Sequence, residues 1–135
     1  MSTDVFTLPE LARHLDVQYR TLQSWVERGL LQPSVQRSTG TGTRNVFDAE
    51  DAVTVCILVD LRAAGVNFET LERAADRLRT TRSALSRQAM VVLNGDVRVV
   101  FSRDEAARAL DHGGLTLVYN TVDALDRVAR ALDDR

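Results

Sequence analysis

Gln18, Tyr19, Arg20, Gln23 and Ser24 crowd hydrogen-bonding side chains into seven positions. If the segment is a helix with Leu22, Trp25 and Val26 turned inward, these polar groups look outward together with Glu27. Gln and Arg can make paired hydrogen bonds to base edges, and Tyr, Ser and Arg can reach phosphate oxygens. A second set follows in a Gly- and Thr-rich stretch, where Arg37 stands before Gly40 and Gly42, and Thr43 and Arg44 after them. Arginines flanking a glycine tip suit a phosphate backbone, where neutralising charge gives affinity without reading sequence. Taken alone, the helix is explained equally well as a solvated polar face, and the hairpin as a plain surface loop. It is their adjacency that favours nucleic-acid contact.

The elements that must hold these groups are well marked. Thr7-Leu8-Pro9-Glu10 starts a helix, with Thr7 as cap, Pro9 in the first turn and Glu10 completing a capping box. Leu8, Leu11, Ala12 and Leu15 make its apolar stripe. Asp16-Val17-Gln18 breaks that stripe, with Val17 plugging into the core between two helices. The presenting helix is expected over about Gln18–Arg28, with Gly29 as its stop. Residues 32–47 are expected to form two short extended strands around a flexible tip, anchored by Val35, Val46 and Phe47. Asp48 and Asp51 open a third helix carrying Val53, Cys56, Ile57 and Leu61, ending near Gly65. Cys56 is read as a small core side chain, with no second thiol or histidine nearby to make a metal site.

Asn67 caps a fourth helix, expected from Phe68 towards Gln88. Leu71, Leu78 and Leu85 recur every seven residues, which fits packing on the third helix or a dimer contact, and Thr80-Thr81 can divide the run. Beyond it the period becomes alternating. Met90–Leu93, Asn94-Gly95 and Asp96–Phe101 spell a hairpin, with Val92 expected opposite Val97 and Met90 opposite Val99. Ser102–Glu105 caps a helix through Leu110, Leu115–Tyr119 reads as a strand, and Asn120 caps a last helix whose buried face is Val122, Leu125, Ala129 and Leu132. The fold class is therefore α+β. Residues 1–79 form a winged helix-turn-helix of four helices plus wing, 80–89 a helical connector, and 90–135 a small ββαβα module for dimerisation or sensing.

Composition limits the partners. A formal charge of −2 argues against a histone-like binder that works by charge alone. Residues 1–47 nevertheless carry five arginines (13, 20, 28, 37, 44) against four acids (4, 10, 16, 27), so nucleic-acid contact belongs to the first part of the chain. No apolar run suits a membrane span, and MSTDVF lacks a secretory pattern, so a cytoplasmic protein is expected, in keeping with one cysteine. No catalytic, metal or cofactor set stands out. His14 and His112 are far apart, Asp104-Glu105 suit the first turn of a capped helix, and Gly113-Gly114 is no phosphate cradle. The chain is read as a non-enzyme.

Residues 5–79 resemble the DNA-binding part of the mercury-resistance-regulator (MerR) family. The likeness rests on FTLPELARHLDV, on Arg20-Thr21-Leu22 with Trp25, Glu27, Gly29-Leu30-Leu31 and Pro33, and on Arg37, Gly42, Arg44 and Phe47. Asp48-Ala49-Glu50-Asp51, Leu61–Gly65 and Phe68–Leu71 extend it. The resemblance implies a recognition helix in the major groove, wings on flanking backbone, and a homodimer on an inverted repeat of double-stranded DNA, acting in transcription. It makes Arg20 a base or backbone contact, gives Arg37 and Arg44 to the wing, and has Trp25 brace the helix. The family usually has an arginine and an aromatic pair where this chain has Gln23-Ser24-Trp25, and its long dimerisation helix is shortened or replaced here. A small-molecule or protein signal would act through residues 90–135. The alternatives are an architectural or excisionase-like DNA-binding accessory protein, and an adaptor that keeps the fold without binding DNA.

Overall fold

The computed structural model describes residues 4–40, 42–111 and 113–134. Strand β1 (Val5–Thr7) leads into helix α1 (Leu8–His14), where Thr7 and Glu10 form the expected reciprocal capping box. The turn after α1 is tight. Asp16 takes a left-handed φ of 54°, which a short polar side chain tolerates, and Val17 N–H donates to Ala12 O at 3.0 Å. Helix α2 (Tyr19–Glu27) begins one residue later than expected, with Gln18 as its N-cap. Gly29 at φ 80° reverses the chain, so that the N–H groups of Leu30 and Leu31 both return to Trp25 O.

Strand β2 (Val46–Asp48) pairs antiparallel with β1, with Phe6 opposite Phe47. This corrects the expectation of two strands within residues 32–47. The first arm makes only an isolated bridge, Gln36 to Val46, on the edge of β2 opposite β1. Val35 does not anchor the arm, being 52% exposed, whereas Phe47 is fully buried.

Helix α3 (Ala49–Ala63) is the central post of the molecule. Asp48 and Asp51 cap it reciprocally, and apolar residues all round it, from Ala52 to Leu58 and at Leu61, are buried. Helix α4 (Phe68–Thr80), capped by Asn67, packs on α3. It stops at Thr80 rather than continuing towards Gln88. Thr81 leaves helical geometry and a 3₁₀ turn (Arg82–Leu85) follows, consistent with a weak β-branched pair at the break. Leu71, Leu78 and Leu85 are all buried within this chain, so the seven-residue repeat is a core stripe here.

The tail follows the expected order: β3 (Met90–Leu93), β4 (Val97–Val100), α5 (Arg103–Arg108), a 3₁₀ turn (Ala109–Asp111), β5 (Leu117–Asn120) and α6 (Val122–Asp133). The sheet is antiparallel in the order β4-β3-β5. The hairpin register differs by one residue from expectation. Leu93 faces Val97 and Val91 faces Val99, leaving Asn94-Gly95-Asp96 as the loop. Asp96 is drawn into the turn, with its Oδ1 accepting from Val97 N–H at 2.8 Å. A one-residue slip exchanges the faces. Val91, Val97 and Val99 therefore join the main core, and Val92 and Val100 turn to the opposite face under α5. The buried face of α6 is also rotated from expectation, to Ala124, Val128 and Ala131, with Val122 and Ala129 outside.

One apolar cluster runs through the whole structure, from Phe6 and Leu22 through Ile57 and Leu78 to Val91 and Val128. A polar bridge reinforces the junction of α3 with the tail. Tyr119 Oη and Arg127 Nη2 both donate to Asp60 Oδ2 at 2.6 Å. Arg127 Nε lies 3.1 Å from Asp123 but out of hydrogen-bond alignment. Burial, then the bond to Asp60, push the Tyr119 hydroxyl above its ordinary value of 10. Among the described residues no helix is long and apolar enough to cross a membrane.

Candidate nucleic-acid interface

A groove of about 890 Å³ lies between α2 and the loop over residues 37–45. One wall is a helical ridge, Tyr19, Gln23, Val26 and Glu27, whose three- and four-residue spacing keeps these side chains stacked on one face. The facing wall is Arg37, Ser38, Thr39, Thr43, Arg44 and Asn45. Thr7, Leu8 and Pro9, at the cap and start of α1, and Pro33 complete the lining. Two arginines against the single carboxylate of Glu27 leave this lining positive, and its side chains supply amide, hydroxyl and guanidinium donors.

Five of the eight residues singled out from sequence meet in this groove: Tyr19, Gln23, Arg37, Thr43 and Arg44. Gln18, Arg20 and Ser24 do not line it. Gln18 sits exposed at the N-cap, where its carbonyl accepts from Thr21 and Leu22 N–H. Arg20 and Ser24, four residues apart, form the neighbouring ridge of α2, with Arg20 exposed and Ser24 half-buried.

The loop keeps its shape without strand pairing. Ser38 N–H donates to Asn45 Oδ1 and Thr39 N–H to Thr43 Oγ1, both at 2.8 Å, and Thr43 Oγ1 donates to Gly40 O at 2.9 Å. Gln36 Nε2 reaches Arg44 O at 3.0 Å. Gly40 and Gly42 take φ values of 143° and 90°, which a side chain would strain. Thr43 is thus a structural clip of the tip as well as part of the groove wall.

Three further ties fix the interface to the core, and sequence reasoning missed them. Ser34 donates through N–H and Oγ to Asp51 Oδ2, at 3.0 and 2.6 Å, which pins the base of the loop to the first turn of α3. Burial raises the Asp51 carboxyl above its usual value of 3.8, against the bonds from Ser34 and Asp48 that favour its charged form. Arg79 of α4 donates to Leu30 O at 3.2 Å, behind the exit of α2. The Arg28 guanidinium lies 3.4 Å from the Phe68 ring centroid. None of these has a local sequence signal, since their partners are 17 to 49 residues apart. The groove residues Ser38, Thr39 and Asn45 were also missed, although their position beside Arg37 and Arg44 could have suggested them.

The remaining polar candidates have structural employment. His14 is half-buried with its ring edge-on to Phe6 at 6.1 Å, and His112 lies outside the described residues. Cys56 is buried in α3, where desolvation pushes its thiol up to about 12. Among the described residues no group of three or more His, Cys, Asp or Glu is placed to hold a metal ion. Trp25 is buried beneath α2 and does not line the groove.

Comparison with known proteins adds two findings. The family model of the MerR HTH family regulatory proteins matches residues 6–78, which is more than half of the chain and contains α1, α2, the loop, α3 and nearly all of α4. Uncharacterized HTH-type transcriptional regulators of Mycobacterium bovis and Mycobacterium tuberculosis are each 23% identical to it over 103 residues. That match takes in 76% of this chain but 45% of the length of those relatives.

Proposed function

We propose that this chain, which belongs to the MerR HTH family of regulatory proteins, docks on double-stranded DNA as a sequence-specific transcriptional regulator. In this reading α2 enters the major groove. Gln18, Tyr19, Arg20, Gln23 and Ser24 are offered to base edges and adjacent phosphates, and Arg37, Thr43 and Arg44 lie along the flanking backbone as the wing. Two copies bind an inverted repeat, each serving one half-site.

The observation that carries the proposal is the shared groove. A polar ridge of α2 and an arginine-bearing loop face each other across one positively lined cleft, and Asp51, Arg79 and the β1–β2 pair hold both walls on a single core. A solvated helix face and an unrelated surface loop have no reason to be braced together in this way. The division of labour follows from the chemistry: amide and guanidinium groups of α2 discriminate bases, and wing arginines add affinity that salt can screen.

Selection of bound sites from a random duplex pool tests it. The expected outcome is enrichment of one inverted-repeat motif, with binding lost steeply as salt rises. Recovery of no motif, with no duplex bound at low salt, would remove the proposal.

A further inference from the structure

The outer face of the tail sheet is covered unevenly. Ala106 of α5 and Ala109 pack against Met90, Val92 and Val100, which belong to β3 and β4. Val118 of β5, paired with Val92 in the sheet, is left 44% exposed. Leu115, two residues before β5, and Val122, at the start of α6, are 90% and 43% exposed. Much of the large apolar surface that the described chain leaves in water is thus gathered around one strand.

That strand is also an edge, and the two edges of the sheet are treated differently. β4 carries Arg98 in its middle, and the N–H at its entry, on Val97, is taken by the side chain of Asp96. Charges and local ties of this kind discourage an edge from pairing with another chain. β5 has neither. From Gly113 to Val122 the sequence GGLTLVYNTV holds no charged residue and no proline, in a chain that is 27% charged.

We infer that the free edge of β5, flanked by Leu115, Val118 and Val122, is the surface on which a second copy of this chain docks. The two β5 strands run antiparallel about a twofold axis and join the two three-stranded sheets into one. The charge pattern fits a second copy as occupant. A twofold contact sets a surface against itself, and an uncharged run can do that in any register without opposing like charges. The same contact at β4 would bring two copies of Arg98 together. The inference rests on the dimeric reading above and gives that dimer its surface.

Sedimentation velocity on the full 135-residue chain, over a concentration series, tests this directly. A monomer–dimer equilibrium is expected. Leu115→Glu and Val118→Glu should each raise its dissociation constant by roughly tenfold or more, since each would bury an unpaired carboxylate. Arg98→Glu on the opposite edge should leave it unchanged. Circular dichroism checks that each variant is folded, and Leu115 is too exposed to matter for folding, so its variant decides the matter if Val118→Glu unfolds. A monomer at every concentration, a dimer untouched by Leu115→Glu, or one weakened by Arg98→Glu would overturn the assignment. Binding of the unaltered chain to a single half-site duplex is followed in parallel. Its absence would remove the DNA reading while the sedimentation result still judges the β5 contact.

Discussion

Ser34 places both its backbone N–H and its hydroxyl on one carboxylate oxygen of Asp51, at 3.0 and 2.6 Å. The same oxygen accepts from Asp48 N–H at 3.1 Å, so the residue that caps α3 also tethers the wing. Ser34→Ala should therefore act on the wing more than on the fold. Because Ser34 is exposed, the expected stability loss is below about 1 kcal/mol. Duplex affinity should fall a few-fold, read by fluorescence anisotropy beside a thermal melt. Equal affinity with an unchanged melt would mean the tether does not position the wing.

Arg37 and Arg44 are assigned to phosphates, and a phosphate contact has a characteristic signature. Arg37→Ala and Arg44→Ala should each weaken all duplexes by a similar factor. Each should also reduce the slope of log affinity against log salt by about 0.9. A change confined to particular base positions would instead make that arginine a base reader.

On α2 the expectation is the reverse. Gln23 lies on the ridge facing the wing, and Gln23→Ala should relax preference at one base pair, at about 1–3 kcal/mol for the preferred sequence. The salt slope should stay as it is. Repeating site selection with this variant checks the point, and an unaltered motif would take Gln23 out of the reading set.

Much of the front of the molecule was legible from sequence because its signals are local. Thr7 with Glu10, Asp48 with Asp51, and Asn67 each cap the next helix within three residues, and Gly29 ends α2 where its type requires. What could not be read was long-range or a matter of phase. β1 and β2 are three residues each, too short to show alternation, and their pairing joins segments about forty residues apart. The hairpin slipped by one residue because Asn94-Gly95 signals a two-residue turn as strongly as the three-residue loop that Asp96 completes. α6 offers two apolar stripes in Val122–Leu132, and only contact with α3 chooses Ala124, Val128 and Ala131. For the site, five of the eight residues singled out from sequence line one groove. Arg20 stands exposed on the next ridge of α2, outside the groove.

The tail is tied into the core shared with α3 and α4, so truncation should be felt throughout. Removing residues 90–135 strips Val91, Val97, Ala124 and Val128 from the apolar cluster and leaves Asp60 without Tyr119 and Arg127. A fragment ending before Met90 should melt well below the full chain and bind dye that reports exposed apolar surface. A fragment with an unchanged melting temperature would show that residues 1–89 suffice for the core.

A buried thiol and a half-buried phenol give a pH dependence with a definite sign. Cys56 and Tyr119 hold their protons in the folded chain above the ordinary values of 9.0 and 10.0. The unfolded chain releases those protons first, so stability falls as pH rises from about 9 towards 12. The slope should approach about 1.4 kcal/mol per unit for Cys56 and stay below that for the half-buried Tyr119, which solvent partly screens. Denaturant melts across this range should lose the Cys56 part of the slope in Cys56→Ala. In the native chain at pH 8 the thiol should resist alkylation and react only on unfolding.

In the proposed function α2 and the wing together hold a duplex. The most direct measurement of this is the affinity of the full chain for the selected inverted repeat, by anisotropy across a salt series, beside Arg20→Ala and the double variant Arg37→Ala/Arg44→Ala. The expected result is specific binding at low salt that falls linearly on logarithmic axes. Arg20→Ala should weaken it, and the double variant should both weaken it and flatten its salt slope. An affinity indifferent to salt, or one that none of these arginines alters, would contradict that proposal.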